Sequence, residues 1–260
     1  MSGQVTSEKS DGVCTIVIEN EGKRNAISYE IMDQLTETFE ALEAEDDHYV
    51  VVLTGAGEKA FSAGFDLTQA ESRFDRDEEQ TNAWPRMIDA IDDYEYPTIA
   101  MINGVTYGGA MEVISACDLR VGADDTEFGI TPAKLGSVYS GRAIQRVINL
   151  VGPAYAKEFL FTGEPMDADR ADAIGLLNRT VPREELEAET YGLAETIAGN
   201  APISLTYMKQ ICNTIVDKGS LSETEHKWIT RVRDEAYQSE DHKKAVEAFG
   251  EDWDPEFTGE

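Results

Sequence analysis

The sequence predicts an α/β fold that gives way to a purely helical C-terminal region. Three observations predict it. Short apolar runs alternate with stretches of helical periodicity through the first 181 residues, the strand–helix–strand pattern of α/β architecture. Three consecutive valines, Val50, Val51 and Val52, read as a strand buried on both faces, as in a parallel sheet. From residue 184 onward only helical spacing recurs, interrupted by Asn200-Ala201-Pro202. That change divides the chain into an α/β core at residues 1–198 and a helical region at residues 199–260.

The elements follow in order. Residues 13–19 form the first predicted strand, and the turn NEGKRNA comes next. A helix begins at about residue 28, with Ser28 as its N-cap. Ile31, Met32, Leu35, Phe39 and Leu42 give that helix one apolar face. Residues 48–54 are the next strand. The loop TGAGEK at 54–59 matches neither the dinucleotide fingerprint nor the P-loop spacing. Residues 68–82 are polar and charged, and Trp84, Met87, Ile88 and Ile91 then form a helical apolar face. Trp84 and Met87 at that spacing read as core rather than pocket lining. A buried strand at 98–102, a helix at 110–117 and helices at 141–150 and 155–161 follow, the last two separated by Gly152-Pro153. Residues 168–173 form a short helix closed by Gly175, and residues 176–181 a strand ended by Pro182. Helices at 184–198, 203–216 and 221–237, with a last segment to Phe249, complete the chain.

Charge bounds the function. Asp and Glu number 51 against 22 Lys and Arg, a formal net charge of −29. The acids are spread in groups at 43–47, 75–79, 167–172, 184–189 and 251–256 rather than gathered in a tail. Such a field repels nucleic acid and repels itself at low salt. At molar salt the Debye length falls to about 3 Å and the self-repulsion is quenched. The composition is therefore read as a halophilic surface. No apolar run has membrane-spanning length. Residues 1–11 are polar and acidic without an apolar centre, so they are not read as a signal peptide. Cys14, Cys117 and Cys212 are widely spaced and odd in number, which points to a reducing, cytoplasmic setting. No Cys/His cluster has metal-ligand spacing, and no metal or cofactor is expected.

The chemistry concentrates in residues 97–139. After the strand at 98–102 comes the turn Asn103-Gly104, then Gly108-Gly109, then an apolar helix start at Ala110. The first N–H groups of a helix have no partner inside it and carry partial positive charge. A glycine at that point lets a substrate oxygen approach the backbone. These are the parts of an oxyanion hole. Glu112, three residues after Gly109, shares its helix face. It either complements the helix dipole or moves protons beside the hole. Residues 59–67, KAFSAGFDL, place Ala63 and Gly64 in a second small-residue turn. Asp66 reads as a turn residue or a second acid. His48, His226 and His242 lie outside these motifs.

AFSAGFDL, INGVTYGGAMEVISACDLR and FGITPAKLG in one chain resemble the crotonase superfamily, the enoyl-CoA hydratase/isomerase family. The resemblance runs from about Val13 to Phe257. It implies a spiral of β-β-α units with a C-terminal helical oligomerisation region, assembled as a homotrimer or homohexamer. It implies an acyl-CoA thioester as substrate, with the backbone N–H groups of Ala63 and Gly109 as the oxyanion hole. Glu112 matches the first of the two glutamates of hydratases. Arg24, Ala26, Ala63, Gly64, Phe65, Asp66 and Leu67 are the implied CoA-binding positions.

The chain departs from the family pattern in two places. The second hydratase glutamate should stand three residues after Phe128-Gly129, where this chain has Pro132. The sequence there, FGITPAKLGSVY, resembles members with TPxxLGxxY, methylmalonyl-CoA decarboxylases among them, and places Tyr139 at the site. The decarboxylase histidine after FSAG is Phe65 here. The family's basic pair before the final Pro-x-Phe is Asp252-Trp253, which removes a CoA-phosphate contact. Three readings stand: a hydratase in which Glu112 handles water, a decarboxylase in which Tyr139 orients the departing carboxylate, and a non-catalytic RNA-binding relative. The net charge argues against the third, and the presence of Glu112 favours the first.

Overall fold

The computed structural model describes residues 3–45, 47–72, 78–249 and 256–259. Its larger sheet has six strands in the order β1 (Gln4–Ser10), β2 (Val13–Glu19), β3 (Val50–Gly55), β5 (Thr98–Ile102), β7 (Leu119–Ala123) and β10 (Arg179–Val181). β1 and β2 are antiparallel, and every later neighbour pair is parallel. The valine run explains the layering. Val50 and Val52 point to one side, where Leu186 and Ala194 of α7 (Leu186–Ala198) cover them. Val51 and Leu53 point to the other, into the main core with Ile31 and Leu35 of α1 (Tyr29–Leu42). Each of these four side chains in β3 is fully buried, worth about 1.5–3 kcal/mol apiece. Ser28 caps α1 as expected, its hydroxyl accepting from the Ile31 N–H at 3.3 Å.

The smaller sheet positions the site. Its order is β4 (Ala60–Ser62), β6 (Val105–Tyr107), β8 (Glu127–Gly129) and β9 (Met166–Asp167). β4, β6 and β8 are parallel neighbours. Their C-terminal ends therefore lie side by side, and each runs directly into one of the three motifs. β6 leads through Gly108-Gly109 into α3 (Ala110–Ala116), and β8 leads through Thr131 into α4 (Pro132–Leu135). Ligands of parallel sheets bind outside the carboxyl ends of the strands.

α2 (Glu78–Asp92) and α5 (Gly141–Thr162) pack over this end, against α3. α5 is interrupted where the sequence places its break, at Gly152 with φ +76°. After α6 (Ala168–Ala173) and α7 come α8 (Pro202–Lys218), α9 (Glu223–Gln238) and α10 (Glu240–Ala248). Two differences from expectation have physical causes. Residues 4–10 form an edge strand, although their polar side chains are mostly exposed and give no alternation. The strand placed at 176–181 is reduced to its last three residues, because the N–H groups of Leu176 and Leu177 turn back to the Ala171 carbonyl. No helix among the described residues is long and apolar enough to cross a membrane.

Candidate active site

The backbone brings residues 23–27 against residues 63–67. Ile27 and Phe65 form a parallel bridge, in which the Ile27 N–H donates to the Gly64 carbonyl at 2.8 Å and the Asp66 N–H to the Ile27 carbonyl at 2.9 Å. The Ala63 N–H donates to the Arg24 carbonyl at 2.9 Å. This corrects the sequence expectation for Ala63: its N–H is spent on the backbone and is not offered to a substrate. The amide nitrogen that faces Gly109 is that of Phe65, 3.4 Å from where a Gly109 Cβ would stand. Gly109 is the N-cap of α3, so its own N–H lies outside the helical ladder. The two turns touch so closely that Gly64, at φ +80°, has no room for a side chain. A Cβ there would lie 2.5 Å from the Gly109 nitrogen and 2.6 Å from the Tyr107 carbonyl oxygen.

A cavity of about 820 Å³ opens beside this contact, and Phe65, Gly109, Glu112, Pro132 and Tyr139 line it. A larger groove of about 1070 Å³ lies across the main sheet, between β1, β2 and α7, and of the motif residues only Asn103 lines it. The candidate catalytic residues line the smaller one. Glu112 is 9% exposed. Its Oε2 accepts from Trp84 Nε1–H at 2.8 Å, and its Oε1 lies 3.6 Å from an Arg146 guanidinium nitrogen. Burial pushes the Glu112 carboxyl above the usual range; the Trp84 hydrogen bond and Arg146 offset only part of that rise. Arg146 is itself held at 2.6 Å by Asp92, and Arg142 at 2.6 Å by Asp89. The Tyr139 hydroxyl donates to the Gly108 carbonyl at 2.5 Å. Burial, followed by the charge of Glu112, raises its pKa.

The predicted residues divide into two groups. Glu112, Tyr139, Gly109, Ala63, Phe65 and Leu67 border the cavity. Arg24, Ala26, Gly64 and Asp66 do not, although they belong to the paired segments behind it. Asp66 is a turn residue: its Oδ1 accepts from both the N–H and the hydroxyl of Thr68, and Lys23 pairs with its Oδ2 at 2.6 Å. Arg24 is exposed, with φ +55°. Pro132 is buried at the first position of α4 and lines the cavity at the place of the family pattern's second glutamate. Asp252-Trp253 lie outside the described residues. Trp84, assigned to the core from its spacing, lines the cavity instead, whereas Met87 is fully buried. Arg142, Arg146 and Asp89 were not singled out from the sequence, and only their i, i+4 placement on α5 and the helical face of Asp89 hint at them. Among the described residues one group with metal-ligand geometry, Glu45, Asp47 and His48, lies elsewhere, and Lys9 pairs with both of its carboxylates.

The family model for enoyl-CoA hydratase/isomerase matches residues 8–260. The chain belongs to the enoyl-CoA hydratase/isomerase family. Its parallel sheets and helices are the crotonase fold, shared with the crystal structure of an enoyl-CoA hydratase from Bacillus anthracis at TM-score 0.90 and 29% identity, over 99% of this chain and 100% of that one. Two curated members are similar to a like degree. Methylmalonyl-CoA decarboxylase of Escherichia coli strain K12 is 29% identical over 260 residues, covering 100% of both chains. Short-chain-enoyl-CoA hydratase of Clostridium acetobutylicum is 29% identical over 250 residues, covering 94% of each. As a member of this family the protein is an enzyme, and an acyl-CoA thioester substrate fits it.

Proposed function

We propose that the protein is an acyl-CoA lyase that adds water to a 2-enoyl-CoA. The observation that carries this reading is the placement of one buried carboxylate, Glu112, in the cavity that the Phe65 and Gly109 amides border. The thioester oxygen takes the two amide N–H groups and becomes an enolate oxygen as charge develops. Glu112 accepts a proton from water while the water oxygen bonds to the β-carbon. The same carboxyl then returns that proton to the α-carbon, and the thioester carbonyl reforms. Pro132 supplies no second carboxylate, so one group serves both proton steps. A carboxyl raised by burial suits this double duty, since its affinity for a proton is closer to balance at neutral pH. The reaction draws on no cofactor beyond the thioester itself.

A second reading is decarboxylation of a methylmalonyl-CoA-like substrate. Two observations favour it: Pro132 in place of the second glutamate, and the Tyr139 hydroxyl bordering the same cavity. The oxyanion pair would then hold the enolate left by CO₂, with Tyr139 orienting the departing carboxylate. The two are separated by assaying crotonyl-CoA hydration and methylmalonyl-CoA decarboxylation at high salt with Glu112→Gln and Tyr139→Phe. Hydration predicts that Glu112→Gln loses about 10²–10⁴-fold and Tyr139→Phe less. If Tyr139→Phe is the worse variant and methylmalonyl-CoA the better substrate, the decarboxylase reading replaces the first.

The remaining assignments belong to the same proposal. Arg24, Ala26 and residues 63–67 form the CoA side of the site. α8 to α10 carry the assembly contacts of a homotrimer or homohexamer. Exposed Met208, Ile215, Tyr237, Val246 and Phe249 support this, as does half-buried Leu205 and Ile211 on the same α8. The acidic surface suits a cytoplasm of high salt.

A further inference from the structure

Trp84 joins the two halves of the site. Its indole N–H holds Oε2 of Glu112 at 2.8 Å. The benzo edge beside that N–H lies against Gly109: a Cβ built there would stand 2.7 Å from Cζ2 and closer still to Cη2. Phe65 meets the ring edge-on, with centroids 6.3 Å apart. One side chain of α2 thus touches the carboxylate, the Gly109 turn and the Phe65 segment. Resting on the lyase reading above, we propose that Trp84 is a positioning residue that fixes the Glu112 carboxylate relative to the oxyanion turn and favours its ionised form.

The surrounding charges leave this task to the indole. Asp89 faces Glu112 from α2, Arg142 and Arg146 from α5, and Tyr139 from the segment before α5, while Asp92 of α2 stands against Arg146. Arg146 approaches Glu112 only to 3.6 Å, while Asp92 holds it at 2.6 Å. Arg142 is engaged with Asp89 at 2.6 Å. Both cations have a closer carboxylate than Glu112. Nε1–H of Trp84 is the one side-chain donor within 3.5 Å of Glu112 among the described residues. A donor on an ionised carboxylate favours the ionised form. Removing it lets burial raise the carboxyl further. The base is needed ionised, so the acid limb of the rate profile moves to higher pH.

The test has two independent readouts. In wild-type protein carrying ¹⁵N-labelled tryptophan, the indole resonance that disappears in Trp84→Phe is followed as a function of pH. It is expected to titrate, and to stop titrating in Glu112→Gln. In parallel, Trp84→Phe keeps a ring beside Gly109 and removes the N–H. It is expected to lower kcat by about 10- to 100-fold, the scale of a hydrogen bond to a charged group, with KM little changed. Its acid limb should lie about one pH unit higher than that of wild type, on the order expected for one charge-assisted bond. A ring that only packs would leave that limb in place. An indole that does not sense Glu112 overturns the proposal, even where Glu112→Gln is inactive and the lyase reading stands. An indole that titrates with Glu112 while Glu112→Gln remains fully active overturns the lyase reading and keeps Trp84 as the holder of the carboxylate.

Discussion

Gly109→Ala isolates the space beside the oxyanion turn from the backbone that forms it. Gly109 has φ −58° and ψ −24°, a conformation alanine adopts freely, so the backbone is not strained by the change. The new methyl, however, would stand 2.7 Å from Trp84 Cζ2, where ordinary contact begins at 3.4 Å. The ring must therefore retreat by at least about 0.7 Å, the difference of those two distances. The N–H on that same edge is tied to Glu112 at 2.8 Å, so the retreat stretches that bond or drags the carboxylate with it. A misplacement near 1 Å costs about 10²-fold in rate. Stability changes far less. At a backbone conformation it can adopt, alanine gains about 0.4–1 kcal/mol over glycine through the unfolded chain, and overpacking takes back about 1–3 kcal/mol. The expected result is kcat on crotonyl-CoA down by about 10²-fold, with Tm within about 8 °C of wild type. Circular dichroism and a melt accompany the kinetics. Activity within threefold of wild type would refute the reasoning, because it would mean that the ring moves without disturbing the carboxylate. Gly109→Val, which adds bulk at the same point, should lose about 10²–10³-fold.

Two further predictions concern stability. Glu112 has a folded-state pKa raised by burial, so its favourable, protonated contribution is full below the unfolded pKa and is lost as pH rises through the folded one. Glu112→Gln should therefore raise Tm at pH 7 while abolishing most activity, and the gain should shrink toward pH 5; an unchanged or lower Tm at pH 7 contradicts the assigned cost. The net charge of −29 should make the protein more stable in 2 M KCl than in 50 mM, since added salt screens the self-repulsion; equal melting temperatures across that range would rule out a surface adapted to salt.

How far the sequence discloses this site depends on how each residue reaches it. The strand at Thr98–Ile102, the N-cap at Ser28 and the break at Gly152 are local, and composition alone marks them. β4, β6, β8 and β9 are two or three residues long, too short for any period to show. Yet the alignment of three of them brings the motifs together. The donor role expected of Ala63 failed for a related reason. Which N–H of a turn points outward depends on its cross-chain partner, here the Arg24 carbonyl for Ala63, and on the positive φ of Gly64, which breaks the extended alternation before Phe65. Trp84 was misplaced because helical spacing shows which residues share a face but not whether that face meets core or cavity. Arg146 reaches Glu112 only through the packing of α5 on α3, which no local pattern records.

The division of the site among three strand ends has a consequence for how such an enzyme changes its trade. The proposed oxyanion pair hangs on β4 and β6, while the position of the missing second carboxylate hangs on β8, at the first residue of a four-residue helix. A proline there contributes no N–H, and an acid at that place would gain from the helix N-terminus. Residue 132 can thus be exchanged while the turn proposed to hold the thioester stays as it is. On the proposed reading, the groups that stabilise an enolate and the position that decides what is done with it sit on different strand ends, and each can be changed alone.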